Sequence, residues 1–302
     1  MRYIIVGYGN IGAKRKQVLA DRCVATVDPY NSAADFASVA DCPLDLYDAA
    51  VLAVPNSLKI DLLEFLLARR KHALVEKPLL FRDTESADRL ERIARQQHVI
   101  WYTSYNHRFE PNVIALKQLL TDGTVGDVYR ARMFYGNGTA GNLAGTWRDG
   151  DLGVLEDLGS HLIDLTGFLF GRSGADFVVW ERRGHELQSV DHCILATVDR
   201  QIVIECSFLS WKNRWSIDVV GAKGTLLMEG LTKWGTSELV VRRRQFPSGV
   251  PEESCKVVQM ADPTWAADIQ HFEELAARGV TSCENDLWVS RTILRAAAAP
   301  LN

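Results

Sequence analysis

A short apolar run, Tyr3-Ile4-Ile5-Val6, ends at Gly7 and is followed by Gly9 and Gly12 in G-x-G-x-x-G spacing. Few features constrain a fold more. The first glycine of such a series permits a tight turn, the second lets an outside group approach the backbone, and the third lets a helix pack closely on its strand. A helical stretch over residues 13–21 follows directly. Strand, glycines and helix in this order predict the opening of a doubly wound parallel sheet, with a pyrophosphate held at the positive end of the helix. Tyr8, Asn10 and Ile11 lie inside the fingerprint and are expected at the same dinucleotide. Asp28 ends the next run, CVATVD, 28 − 12 = 16 residues after Gly12, near the place where an acidic residue bonds the adenosine ribose. Its charge repels the extra phosphate of NADP, so the expected cofactor is NAD. Lys14, Arg15 and Lys16 either reach a phosphate or form a solvated helix face.

Up to about residue 103 the runs RYIIVG, CVATVD, AAVLAVP, HALVEKP and VIWYTS alternate with stretches of helical length. In 57–70, for instance, Leu58, Leu62, Phe65 and Leu66 recur at helical spacing. This is the rhythm of βαβ units and a parallel sheet, and it predicts a Rossmann dinucleotide-binding domain over residues 1–104. Beyond Asn106 the rhythm changes. A helix over 111–121, the strand DVYRARMFYG, a glycine-rich loop over 136–150 and a helix over 154–170 precede six short-turned strands, FVVWERR to ELVVRRR. These predict a C-terminal α+β domain, 105–302, with a large, mostly antiparallel open sheet. Two helices close the chain, 264–278 and 284–298, the last packing back on the first domain. Arg242, Arg243 and Arg244 read as charges on an exposed sheet edge.

Composition narrows the partners. Of the 302 residues 34 are Lys or Arg and 38 Asp or Glu, a net charge of −4, so no basic excess suits nucleic acid. No apolar run approaches the roughly 18 residues of a membrane span. Six scattered cysteines without a C-x-x-C pair read as reduced thiols, and the chain reads as cytoplasmic.

Two segments carry candidate chemistry. Glu76-Lys77-Pro78 follows the fourth apolar run, at the carboxyl end of a parallel strand, where open α/β sheets bind ligands. A lysine there supplies fixed positive charge to a developing alkoxide; the alternative is a pair of surface charges before a helix. In Asp157-Leu158-Gly159-Ser160-His161 the acid and the histidine are four apart, about 40° from each other on an α-helix. The histidine is then a general base, or binds a metal with Asp157 and Asp164, or is a buried structural residue. Asn106, His107 and Arg108 sit just after the last parallel strand, and Trp147 and Arg148 end the glycine-rich loop, where an aromatic face and a guanidinium suit a sugar and an anionic group.

GYGNIG, AVPN at 53–56, EKP at 76–78, YNHRFEP at 105–111 and DLGSHLIDL at 157–165 together resemble the Gfo/Idh/MocA oxidoreductases across about the first 170 residues, and GAKGTL at 221–226 adds a weaker piece. The stretch 150–153 departs from the family's run of three glycines, reading Gly-Asp-Leu-Gly. The resemblance implies NAD(P)-dependent hydride transfer at a secondary alcohol or ketone of a sugar, inositol or sugar-nucleotide-like substrate, without a catalytic metal. It assigns catalysis to Lys77, Asp157 and His161. It places Asn56 and Glu76, with the adjoining Pro55 and Lys77, at the cofactor, and a cis bond at Lys77-Pro78. By their positions Asn106, Arg108, Trp147 and Arg148 are expected at the substrate with His161, the alternative for the arginine being an ion pair that bridges the domains. It also implies a homodimer or homotetramer formed through the C-terminal sheet. The rival classes are a dinucleotide-binding sensor without turnover and a metal-dependent enzyme built on Asp157, His161 and Asp164.

Overall fold

The computed structural model describes residues 1–146, 149–150, 152–172 and 176–300. The chain opens with β1 (Tyr3–Val6), α1 (Asn10–Leu19), β2 (Cys23–Val27), β3 (Ala49–Leu52), α2 (Asn56–Ala68), β4 (His72–Glu76), α3 (Thr84–Gln97) and β5 (Trp101–Ser104). It continues through α4 (Pro111–Thr121), β6 (Val128–Gly136), the short α5 (Ala140–Leu143), a π-helical turn (Leu155–Gly159) and α6 (Ser160–Phe170). Then come β7 (Phe177–Arg183), β8 (His192–Thr197), β9 (Ile202–Ser207), β10 (Arg214–Gly221), β11 (Gly224–Glu229), β12 (Thr236–Arg243) and β13 (Glu252–Gln259), followed by α7 (Thr264–Arg278) and α8 (Cys283–Ala298). No helix among the described residues is long and apolar enough to cross a membrane. The chain forms two compact units, one of Met1–Asn106 with Thr264–Arg291, the other of His107–Pro263 with Thr292–Asn302.

The first unit is a parallel sheet in the order β2-β1-β3-β4-β5. A parallel sheet is covered on both faces, and its strands are correspondingly apolar throughout; β1, β3 and β5 are buried at every position. Ile4, Leu52 and Val75 pack with leucines of α2 and α3 on one face. Tyr3, Ile5 and Val51 pack on the other with Leu19 of α1 and Ile269 and Phe272 of α7. α7 therefore completes this sheet although it lies far along the chain. Between β2 and β3 the connection holds no α-helix, only a 3-10 turn at Val39–Asp41. The buried stripe of α2 is Lys59, Leu63, Leu66 and Leu67, whereas Leu58 is 50% exposed. A reading by apolar residues alone misses it because a lysine occupies its first position.

The second unit is an eight-stranded sheet in the order β13-β12-β11-β10-β6-β9-β8-β7, parallel only between β6 and β9. Helices cover one face: α4 reaches it through Asn112, which donates to Ser237 Oγ at 3.0 Å, and a Cβ on Gly159 of the π-turn would lie 3.3 Å from Cys206 Sγ. One strand escapes the sequence reading. β13, EESCKVVQ, is exposed almost throughout, so no apolar alternation reveals it, yet it pairs with β12 along its whole length. Arg242, Arg243 and Arg244 consequently do not form the edge. Arg242 meets Glu253 at 2.6 Å and Arg243 lies opposite Glu252.

The helix expected over 154–170 also differs. Its first turn, Leu155–Gly159, is π-helical, so the α-helical angle between Asp157 and His161 does not apply; such single turns mark functional sites in many helices. Gly153 precedes it at φ +46°, where a Cβ would lie 2.1 Å from Val190 O. Glycine is demanded at 153 by this close approach, whatever stands earlier in the run.

Candidate functional site

The first unit supplies a dinucleotide cradle at the carboxyl edge of its sheet. Gly7 follows β1 at φ +93° and donates its N–H to Val27 O at 2.8 Å. A Cβ there would lie 2.3 Å from Ala53 O, and one on Gly12 2.1 Å from Gly7 O. Both glycines are thus required by the protein's own packing. Gly9 is not: a Cβ on it would meet nothing within 4 Å. It is the N-cap of α1, it carries no capping side chain, and no acidic residue stands in the first turn. Open space before uncapped N–H groups at a positive helix end is what a pyrophosphate needs, so the cradle fits the expected cofactor. Gly9 and Asn10 are exposed, and Tyr8 and Ile11 half-buried, around it.

Asp28 lies just past β2, and its carboxylate is tied to the same loop. Oδ2 accepts the Tyr8 N–H at 2.8 Å, and Oδ1 accepts those of Tyr30 and Asn31 at 2.8 and 3.1 Å. Burial pushes the carboxyl up, but the three N–H bonds outweigh it and hold it below the usual carboxylate range. Pro55 caps α2, and Asn56 is its first residue.

Arg15 corrects one expectation. Its side chain is not on a solvated face and reaches no phosphate: it is fully buried. Nε donates to Glu76 at 2.6 Å, Nη1 to Asp268 at 2.9 Å and Nη2 to Ser104 at 2.6 Å, with Trp265 over the guanidinium at 4.5 Å. Lys14 and Lys16 do remain exposed. The Glu76 carboxylate, expected at the cofactor, is therefore held from behind by Arg15. Lys77 follows it at the end of β4, and Lys77-Pro78 is cis. Neither Arg15 nor Asp268 was legible as a partner, because the two are 253 residues apart.

The second unit supplies an aromatic and cationic cluster around His161. This histidine is 6% exposed, and its ring lies 4.0 Å from that of His107, tilted by 33°. Tyr135 of β6 and Trp215 of β10 flank His107 edge-on at 5.4 and 5.1 Å. Lys233 Nζ lies 3.0 Å from His107 Nε2 and donates to Tyr135 Oη at 3.2 Å. Burial, and then the nearby charge of Asp157, push the Tyr135 phenol far up, so it stays neutral and Asp157 is near enough to act on this cluster. Tyr135 is readable in retrospect as an inward position of DVYRARMFYG; Lys233, in LTKWG, left no pattern.

The segment 106–110 is a hub. Asn106 donates to Thr264 Oγ1 at 2.8 Å within the first unit. In the second, His107 meets Lys233, Glu110 accepts from the N–H and hydroxyl of Thr232 at 3.2 and 2.9 Å, and Arg108 grips Asp164 with two bonds, one of 2.7 Å. Asp164 is fully buried beneath that guanidinium. It is thus engaged by an arginine, and no three His, Cys, Asp or Glu side chains gather to hold a metal among the described residues. Trp147 and Arg148, expected at the substrate, lie outside the described residues.

The two units define a dinucleotide-binding α/β body and an open-sheet α+β body. A family model described as an oxidoreductase family with an NAD-binding Rossmann fold matches residues 1–105. The model of the GFO/IDH/MocA C-terminal domain matches residues 113–227. The chain belongs to the Gfo/Idh/MocA oxidoreductases. It is 28% identical over 127 residues to the scyllo-inositol 2-dehydrogenase (NADP(+)) of Bacillus subtilis (strain 168), covering 41% of this chain and 35% of that protein. It is 30% identical over 220 residues to the trans-1,2-dihydrobenzene-1,2-diol dehydrogenase of Mus musculus, covering 71% and 64%. The matches thus span between about a third and two thirds of these relatives. A levoglucosan dehydrogenase solved with NADH shares the fold, with a TM-score of 0.83 at 16% identity over 99% of this chain and 97% of that one.

The glycines separate demands of the fold from demands of the ligand. Gly9→Ala, at a φ of −89° that suits alanine, should keep the wild-type melting temperature and weaken NADH binding about tenfold or more, or ~1.4 kcal/mol. Gly12→Ala should destabilise the fold by more than about 2 kcal/mol. Nicotinamide fluorescence and thermal melts read both; wild-type NADH affinity in Gly9→Ala removes the cradle assignment.

Proposed function

We propose that the protein is an NAD-dependent dehydrogenase acting on a secondary alcohol, or in reverse on a ketone, of a sugar-like polyol. The observation that carries this is the cradle: an uncapped helix end with open space at Gly9, and Asp28 fixed beside it. The names of the relatives, dehydrogenases of an inositol and of a cyclic diol, support the same substrate chemistry. Bound NAD supplies the hydride acceptor. His161 takes the hydroxyl proton, Lys77 steadies the developing alkoxide by charge and hydrogen bonding, and Asp157 stabilises the imidazolium that forms. The assay is reduced nicotinamide formed from a panel of sugars, inositols, uronic acids and sugar nucleotides. Lys77→Ala and His161→Ala should each lower turnover by about two orders of magnitude or more. Near-normal turnover in either removes that residue's role, and NADH binding without turnover on any compound returns the sensor reading.

The preference for NAD over NADP rests on Asp28. A carboxylate held ionised by three backbone N–H groups repels the doubly charged ribose phosphate. Asp28→Ser should raise the ratio of kcat/KM for NADP over NAD about tenfold or more, and an unchanged ratio assigns the selection to other residues.

The assembly proposed is a homodimer or homotetramer built on the sheet face opposite the helices. Strand alternation places Phe134, Ile194, Val203, Leu227 and Val240 on that face, all half-buried. Sedimentation should give a mass of two or four chains, reduced by Leu227→Lys; a monomer at micromolar concentration refutes this surface. All six cysteines are unpaired thiols, which supports a reducing compartment such as the cytoplasm.

A further inference from the structure

Lys59 is a lysine where a leucine would serve packing better. It belongs to the buried stripe of α2 and is 2% exposed. Taking an ammonium out of water is expensive, and lysines are almost never fully buried unless polar groups receive them. Here the receivers are backbone carbonyls: Nζ donates to Glu76 O at 2.5 Å and to Pro78 O at 2.7 Å. These carbonyls bracket Lys77, one on the residue before it and one on the residue after. Glu76 O lies in the peptide plane just before Lys77 and Pro78 O in the plane just after Pro78, whose ring locks the φ between. The two bonds therefore pin the chain on either side of Lys77 and restrict the direction in which its side chain leaves the backbone.

Neighbouring bonds continue the restraint. The Glu76 side chain is held by Arg15 of α1. Ser290 of α8 donates to Leu79 O at 2.9 Å and receives the Phe81 N–H at 3.0 Å. The segment from 76 to 81 is therefore tied to three helices, and Lys59 supplies one tie on each side of Lys77. A methyl-terminated side chain would fill the same space and extend the leucine stripe without the desolvation cost. What the ammonium adds is direction.

We propose that Lys59 is a positioning residue that aims Lys77 at the reacting oxygen. The proposal rests on the reading of Lys77 as a group that acts on the substrate. Both of these Lys59 bonds go to backbone carbonyls, so it acts on Lys77 through the chain.

The test joins a cycle of variants to a measurement that needs no substrate. Lys59→Met should bind NADH as the wild type does and lose about tenfold or more in kcat, since a displacement of about 1 Å can cost a hundredfold. Lys59→Gln, whose amide can still donate to a carbonyl, should fall between the two, and it carries the test if the methionine variant does not fold. In a Lys77→Ala background, Lys59→Met should cause no further loss, because the group it aims is gone. An equal loss in both backgrounds, or an unchanged kcat in Lys59→Met, overturns the proposal. Amide hydrogen exchange of peptides covering 76–81 tests the clasp separately: it should quicken about tenfold or more in Lys59→Met while the sheet stays protected, and unchanged exchange overturns it. If Lys77→Ala turns over like the wild type, the role of Lys77 falls, and with it the aiming, whereas the exchange data still decide whether the clasp exists.

Discussion

The buried guanidinium of Arg15 is the constraint around which the first unit is arranged. It lies one turn into the helix that carries the glycine fingerprint, and it joins that helix to the ends of β4 and β5 and to α7 through Glu76, Ser104 and Asp268. A buried ion pair is a weak source of net stability, because desolvation consumes most of the Coulomb gain. Removing one partner is nevertheless severe, typically about 3–5 kcal/mol, since a charge is left buried and uncompensated. Burial pushes the Asp268 carboxyl up, and Arg15 and Ser104 work against that. The arrangement is better understood as a device for geometry. It sets the glycine loop, the Glu76-Lys77 corner and a helix from the far end of the chain in one register.

That device explains what could and could not be read from the chain. Local patterns were legible wherever they follow from a period or a turn. The five parallel strands, the helix Pro111–Thr121 and the strands from β7 to β12 emerge from apolar runs and turn residues within about three residues. The glycine fingerprint was legible because its requirements are steric and local. Long-range polar pairing was not. Arg15 read as a surface charge because nothing near it in sequence announces Asp268, and Lys59 broke the stripe that would have located the buried face of α2. β13 was hidden for a related reason: an exposed strand is specified by the strand it pairs with, and its own residues carry little signal.

The second unit shows how a family motif divides its labour. In YNHRFEP, Glu110 fixes the turn that carries Lys233, Arg108 fixes α6 through Asp164, and His107 stacks against His161. Each residue ties the segment to a different element, so the motif builds the surroundings of His161 more than it supplies reacting groups. Arg108, expected at the substrate or in an ion pair, holds the buried carboxylate of Asp164.

The stacked histidines carry a further electrostatic consequence. Lys233 Nζ can donate to His107 Nε2 only if that nitrogen keeps its lone pair, which makes His107 neutral with its proton on Nδ1. Two imidazoles 4.0 Å apart also disfavour double protonation, because like charges at that range repel strongly in a partly dry site. Lys233 therefore distinguishes the two rings of the pair by favouring one tautomer of His107. Asp157, whose charge is felt at Tyr135, adds a carboxylate to the surroundings of the same cluster. A neutral phenol, an ammonium and a carboxylate are thus gathered about two imidazoles, and the polarity of the cluster is set by side chains that β6, the segment 106–110 and the turn Thr232–Trp234 bring together.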